Sequence, residues 1–103
     1  MIEKIASHRK ELQQLCRRFH VRRLDLFGSA ARGDFDPERS DVDFLVEFDL
    51  DHPDALSLKA YFDFKDVLEA LIGRPVDLVE PAALRNPYLR ASIDASREPV
   101  FAA

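Results

Sequence analysis

The sequence predicts an α/β (α+β) fold in which helices pack on one small mixed β-sheet. Two observations carry that expectation. Apolar residues recur at three- and four-residue spacing in two long stretches, one near each end of the first three quarters of the chain. Between and after them lie short runs with two-residue alternation, punctuated by glycine and proline. The alternation of helical and extended patterns favours layered packing, although sheet order does not follow from it.

Each element can be justified in turn. Ile2, Ile5, Ala6, Leu12, Leu15, Cys16 and Phe19 form one stripe, which predicts a single amphipathic helix of about four to five turns. Val21 to Phe27 (VRRLDLF) sets polar Arg23 and Asp25 between apolar Leu24 and Leu26, a strand pattern closed by Gly28 and Ser29. Residues 29 to 32 suit a short helix before Gly33, and DFDPERS reads as a polar loop. Asp41 to Phe48 is a second strand with Val42, Phe44, Val46 and Phe48 on the core face and Asp41, Asp43, Leu45 and Glu47 on the other.

After the turn-rich DLDHPD, residues Leu58, Tyr61, Phe62, Leu68, Leu71 and Ile72 mark a second long helix ending at Gly73. Tyr61 and Phe62 read as core, whereas Phe64 falls off that stripe and is expected to face a partner. Val76 to Val79 (VDLV) is a short strand with Asp77 alone on its polar side. A helical segment with Leu84, Leu89 and Ile93 then leads toward Pro99, and Val100-Phe101 suits an edge strand.

The 103 residues, 47% hydrophobic and 33% charged, suffice for one small domain covering residues 1–103 and leave no room for a second. A net charge of −4 disfavours a general nucleic-acid binder. Cys16 is the only cysteine, which excludes a disulfide framework and a thiolate metal site; it reads as a small core residue. His8, His20 and His52 lack zinc-site spacing. In RRFHVRR, the arginines suit a solvated helix end, where cations complement the helix dipole. No apolar run approaches the roughly 20 residues of a membrane span, and the start has no signal-peptide pattern, so a cytoplasmic protein is expected.

The chemistry concentrates in GSAARGDFDPERSDVDFLVEF, residues 28 to 48. Asp41 and Asp43, two residues apart on a strand, project together and can bracket a hard cation with carboxylate oxygens. Asp77 is the best-placed third carboxylate. Gly28 permits close backbone approach, and the amides after it, with the Ser29 hydroxyl, can hold anionic oxygens. The pattern is neither GxxxxGK[ST] nor GxGxxG, so the common ATPase and dinucleotide loops do not apply.

GSxARG followed by SDxDF, here Gly28, Ser29, Ala30, Ala31, Arg32 and Gly33, then Ser40, Asp41, Val42, Asp43 and Phe44, resembles the minimal nucleotidyltransferases (MNT) of the DNA polymerase beta superfamily. The resemblance covers nearly the whole chain. It implies a nucleotidyltransferase fold, ATP as substrate, and two Mg²⁺ ions held by Asp41, Asp43 and Asp77, with Asp77 also orienting or deprotonating the attacking hydroxyl. Gly28 and Ser29 would hold the triphosphate. Members of this family serve as antitoxins to HEPN-domain RNase toxins, and some transfer AMP to a toxin tyrosine, so a hetero-oligomer with such a toxin is expected. Two other readings stay open: an antitoxin that neutralises by binding alone, and nucleotidyl transfer to a small molecule or RNA.

Overall fold

The computed structural model describes residues 2–33, 36, 41–51 and 57–103. Its sheet has four strands: β1 (Val21–Phe27), β2 (Val42–Phe48), β3 (Val76–Val79) and β4 (Glu98–Ala102), in the order β3-β2-β1-β4. β1 runs antiparallel to both β2 and β4, whereas β2 and β3 are parallel. The sheet is therefore mixed, as expected.

A parallel pair needs a long crossover, and α4 (Leu58–Ile72) supplies it. Ser57 caps the start of α4 by accepting the Ala60 N–H at 3.0 Å, and Gly73 ends it in a left-handed conformation. Two side chains of α4 then bind the outer edge of β3. Glu69 accepts the Val76 N–H at 3.0 Å, and the Tyr61 hydroxyl donates to the Leu78 carbonyl at 2.8 Å. Val76 and Leu78 flank Asp77, so these bonds fix the strand on which that carboxylate stands.

The stripe expected as one N-terminal helix forms two: α1 (Glu3–Ser7) and α2 (Arg9–Arg18), parted at His8, whose φ of −109° and ψ of 18° leave the helical range. The apolar stripe survives the break because Ile5 and Leu12 both reach the core. α2 and α4 pack on one face of the sheet, where Leu12, Cys16, Leu24, Leu26, Val42, Phe44, Val46, Phe64, Leu68 and Val76 are buried together. Phe19 meets Phe64 at 5.3 Å between ring centroids, joining the two helices.

Phe64 thus belongs to the core, and the expectation that it faces a partner is corrected: it lies three residues after Tyr61 and four before Leu68, on the same helical stripe. Phe62, expected as core, is 53% exposed. The segment after β3 is a 3₁₀ turn (Pro81–Ala83) followed by α5 (Pro87–Ser96), whose N-terminus Asn86 caps by accepting the Tyr88 N–H at 2.9 Å. Leu84 lies between the two and is in neither. β4 forms the edge expected at Val100-Phe101, and Arg9 covers it by donating to the Pro99 carbonyl at 2.8 Å. No helix among the described residues is long and apolar enough to cross a membrane.

Candidate functional site

The parallel register of β2 and β3 pairs Asp43 with Asp77, and the antiparallel register of β1 and β2 sets Phe27, the residue before Gly28, opposite Asp43. Three segments distant in sequence therefore meet at the mouth of β2. Strand alternation puts both aspartates on the face opposite the apolar core.

Gly28 has φ +73°, and a Cβ built on it would lie 2.6 Å from Asp43 Oδ2. Any side chain there would strike that carboxylate, and the left-handed φ disfavours any L residue besides. Ser29 opens α3 (Ser29–Arg32), in which the Ala31 and Arg32 amides bond to the Gly28 carbonyl at 3.1 and 3.0 Å. The amides of Ser29 and Ala30 are those a first turn leaves without an intrahelical acceptor. The Ile2 N–H donates to the Ala30 carbonyl at 3.1 Å and ties this turn to the N-terminus.

Asp43 is half-buried, and its carboxyl is pushed up from 3.8 to about 6. Burial is the main cause; the charges of Asp77 and then Asp41 add to it, as does a hydrogen bond with the Asp77 side chain, and the Arg32 guanidinium pulls the other way. Asp41, Asp43, Asp77 and Arg32 thus share one electrostatic neighbourhood. Asp41 is exposed and precedes β2, which begins at Val42 and not at Asp41 as the alternation suggested.

The donor set suits a hard cation. Two carboxylates in register, one half-buried and pushed toward neutrality by its neighbours, are relieved when a positive ion sits between them. Asp41 contributes charge from the exposed mouth, and among the described residues no group of three or more His, Cys, Asp or Glu side chains is already drawn together as a metal cage.

Sequence reasoning missed the support around these groups. Asp25, placed on the polar side of its strand, is fully buried, with Arg97 and Arg23 donating to its carboxylate. Ser96 accepts the Gly28 N–H at 3.3 Å. A carboxylate in the middle of an apolar strand was the available signal, since it must be paired if buried. Asp34, Ser40 and His52 fall outside the described residues.

A groove of about 780 Å³ lies at the other end of β2 and β3, lined by Val46, Phe48, Leu58, Tyr61, Phe62 and Leu78 among others. It contains none of the aspartates.

Comparisons with known proteins identify the family and the fold. The model of the nucleotidyltransferase domain family matches residues 6–99. A Methanocaldococcus jannaschii protein that provisionally bears the name protein adenylyltransferase is 41% identical over 90 residues, 87% of this chain and 84% of that protein. Protein adenylyltransferase MntA of Thermococcus cleftensis is 40% identical over 82 residues, 80% of this chain and 75% of its own. Among solved structures, one described provisionally as a minimal nucleotidyltransferase superposes with a TM-score of 0.76 at 34% identity, covering 94% of this chain and 93% of that one. The MNT antitoxin in complex with a tri-AMPylated HEPN toxin of Shewanella oneidensis shares the fold, with a TM-score of 0.64 at 18% identity over 96% of this chain and 73% of that one. By the family model and by relatives matched over most of both lengths, the chain belongs to the nucleotidyltransferase domain family, in its minimal branch.

Proposed function

We propose that the protein is a protein adenylyltransferase antitoxin: it transfers AMP from ATP to a tyrosine hydroxyl of a partner HEPN-domain toxin and releases pyrophosphate. The observation that carries this reading is the pairing of Asp43 with Asp77 across parallel strands, directly beside a glycine whose missing side chain leaves room for the Asp43 carboxylate. The name of the Thermococcus relative and the AMP-bearing toxin held by the structural neighbour support the protein acceptor and the toxin partner.

In this reading the acceptor oxygen attacks the α-phosphorus, a new oxygen–phosphorus bond forms, and the bond to the departing pyrophosphate breaks. Asp43, Asp77 and Asp41 would hold Mg²⁺ ions, which supply charge neutralisation at the phosphoryl oxygens and at the leaving group. Asp77 is exposed and can meet an incoming hydroxyl, orient it and accept its proton. The Ser29 amide and hydroxyl hold phosphate oxygens, and Gly28 lets the backbone come close. Arg32 adds positive charge on the same side.

The test uses ATP labelled at the α-phosphate with the toxin as acceptor. Asp43→Asn is expected to fold and to lower transfer by about a hundred- to a thousandfold, the range for loss of a group that stabilises the transition state electrostatically. ATP labelled at the γ-phosphate is expected to label nothing. Undiminished transfer by Asp43→Asn would sink the mechanism.

A further inference from the structure

Ser96 and Arg97 stand where α5 gives way to β4, and both reach back to the end of β1. Arg97 directs Nε, at 2.8 Å, and Nη2 onto Asp25 Oδ2, while its Nη1 donates to Asp94 Oδ1 at 2.8 Å. Arg23 adds a second cation, with Nε 3.2 Å from Asp25 Oδ1. Three residues after Asp25, the Gly28 N–H donates to Ser96 Oγ at 3.3 Å. The Ser96 hydroxyl in turn lies 3.4 Å from both the Ser92 and Ile93 carbonyls, which offer its proton an acceptor within α5.

A fully buried carboxylate in a central strand is tolerated only with charged partners, and an arginine supplies several N–H groups in a fixed planar geometry that lysine cannot copy. Arg97 is 27% exposed and bonded on two sides, so its orientation is set. The helix-to-strand junction is thereby fastened at two points, to Asp25 within β1 and to Gly28 just after it. Gly28 has the Asp43 carboxylate on one side, 2.6 Å from where a Cβ would stand, and the Ser96 hydroxyl bonded to its nitrogen.

We propose that Ser96 and Arg97 are positioning residues of the nucleotide site, which hold the Gly28–Ser29 turn in place beside Asp43 and leave the Ser29 amide and hydroxyl, rather than the Gly28 amide, to meet the triphosphate. The proposal rests on the nucleotidyltransferase reading above. It makes the end of α5, which carries none of the motif residues, part of substrate binding. A nucleotide seated on this turn would be sensed at Ser96 through a single backbone bond.

The experiment compares the wild-type chain with Ser96→Ala, Ser96→Thr and Arg97→Lys, using Mg²⁺ with the ATP analogue AMP-PNP as the probe. Two quantities are read: hydrogen exchange at the Gly28 amide and AMP-PNP affinity by calorimetry at a temperature where each variant is folded. Ser96→Ala and Arg97→Lys are expected to speed Gly28 exchange and to weaken AMP-PNP binding about tenfold, the scale of one lost hydrogen bond of about 1.4 kcal/mol. Ser96→Thr keeps the hydroxyl and is expected to restore both. Should Arg97→Lys not fold, the Ser96 pair alone carries the comparison.

Wild-type binding with unchanged affinity in folded Ser96→Ala overturns the positioning role and leaves the enzymatic reading standing. A Ser96→Thr variant as weak as Ser96→Ala overturns it as well. A wild-type chain that binds no AMP-PNP overturns the nucleotide reading, and this proposal with it.

Discussion

The two faces of β2 are made from the same seven residues and do opposite things. Val42, Phe44, Val46 and Phe48 face α2 and α4 and lie within the core. Asp43 and Glu47 face the other way, with only Leu45 buried between them. β3 repeats the division, with Val76 and Leu78 against Asp77, whereas on β1 the corresponding acid, Asp25, is buried and is tolerated through Arg97 and Arg23. One face holds the sheet together, and that leaves the other free to gather carboxylates that would be intolerable in a core. Stability and chemistry are separated by a single peptide unit.

The difference can be broken most forcefully from the dry side. Phe44 is fully buried and sits between Asp43 and Leu45, so truncating it leaves a cavity without touching a carboxylate. Phe44→Ala is expected to cost about 3–5 kcal/mol, a large part of the stability of a domain of this size, read as a fall in the urea midpoint with little change in slope. A loss below about 1 kcal/mol would mean that the core face is not the structural one.

A smaller and mixed effect is expected where the faces meet the turn. Gly28→Ala puts a methyl group 2.6 Å from Asp43 Oδ2 at a φ of +73°, so the backbone is strained and the carboxylate must swing aside. Stability is expected to fall by about 1–2 kcal/mol, the cost of a left-handed residue with a side chain. Transfer of AMP is expected to fall on the order of a hundredfold, because a displacement near 1 Å at a reacting centre has that effect. A variant that lost stability but kept full transfer would separate Gly28 from the site.

How much of this was legible in the sequence depended on the range of the interaction. β1 and β3 have the bounds that alternation assigned, Val21–Phe27 and Val76–Val79, because a strand with one buried face writes itself into a period of two. The Gly73 stop was legible for a similarly local reason. The break at His8 was not, since Ile5 and Leu12 keep helical spacing across it. Phe62 and Phe64 were exchanged because the second helix has apolar residues on more than one face, and the stripe had to be chosen without knowing where β2 lay.

At the candidate site, Asp41 and Asp43 announced themselves by spacing, and Asp77 by being the one acid in VDLV. That Asp43 and Asp77 stand in register depends on the crossover through α4 and on Glu69 and Tyr61 holding the outer edge of β3, none of which has a local signature. Asp25 was visible as a polar residue in a strand, but its burial is decided by Arg97, 72 positions later.

The smallest effect sharpens the comparison most, because it reverses the usual sign. Asp43 has a carboxyl near 6 in the folded chain against an ordinary value of 3.8. Its ionised form is therefore less favourable folded than unfolded. The fold is free of that penalty only well below 3.8, where Asp43 is protonated in both states; the penalty grows as pH rises from there and is complete once pH has risen through 6. Asn cannot ionise, so Asp43→Asn is expected to stabilise the metal-free protein at pH 7.5 by on the order of 1 kcal/mol, the shift being discounted for solvent screening of a half-exposed group, and to give almost no gain at about pH 3. Thermal unfolding at the two pH values, with chelator present, checks it; a variant less stable than wild type at pH 7.5 would contradict it. Replacing chelator with Mg²⁺ is then expected to raise the wild-type midpoint at pH 7.5 and to leave that of Asp43→Asn nearly still, since a ligand stabilises only the folded state that binds it. A substitution that strengthens the fold while abolishing transfer would mark Asp43 as a residue kept for chemistry at the expense of stability, the reverse of Phe44 beside it.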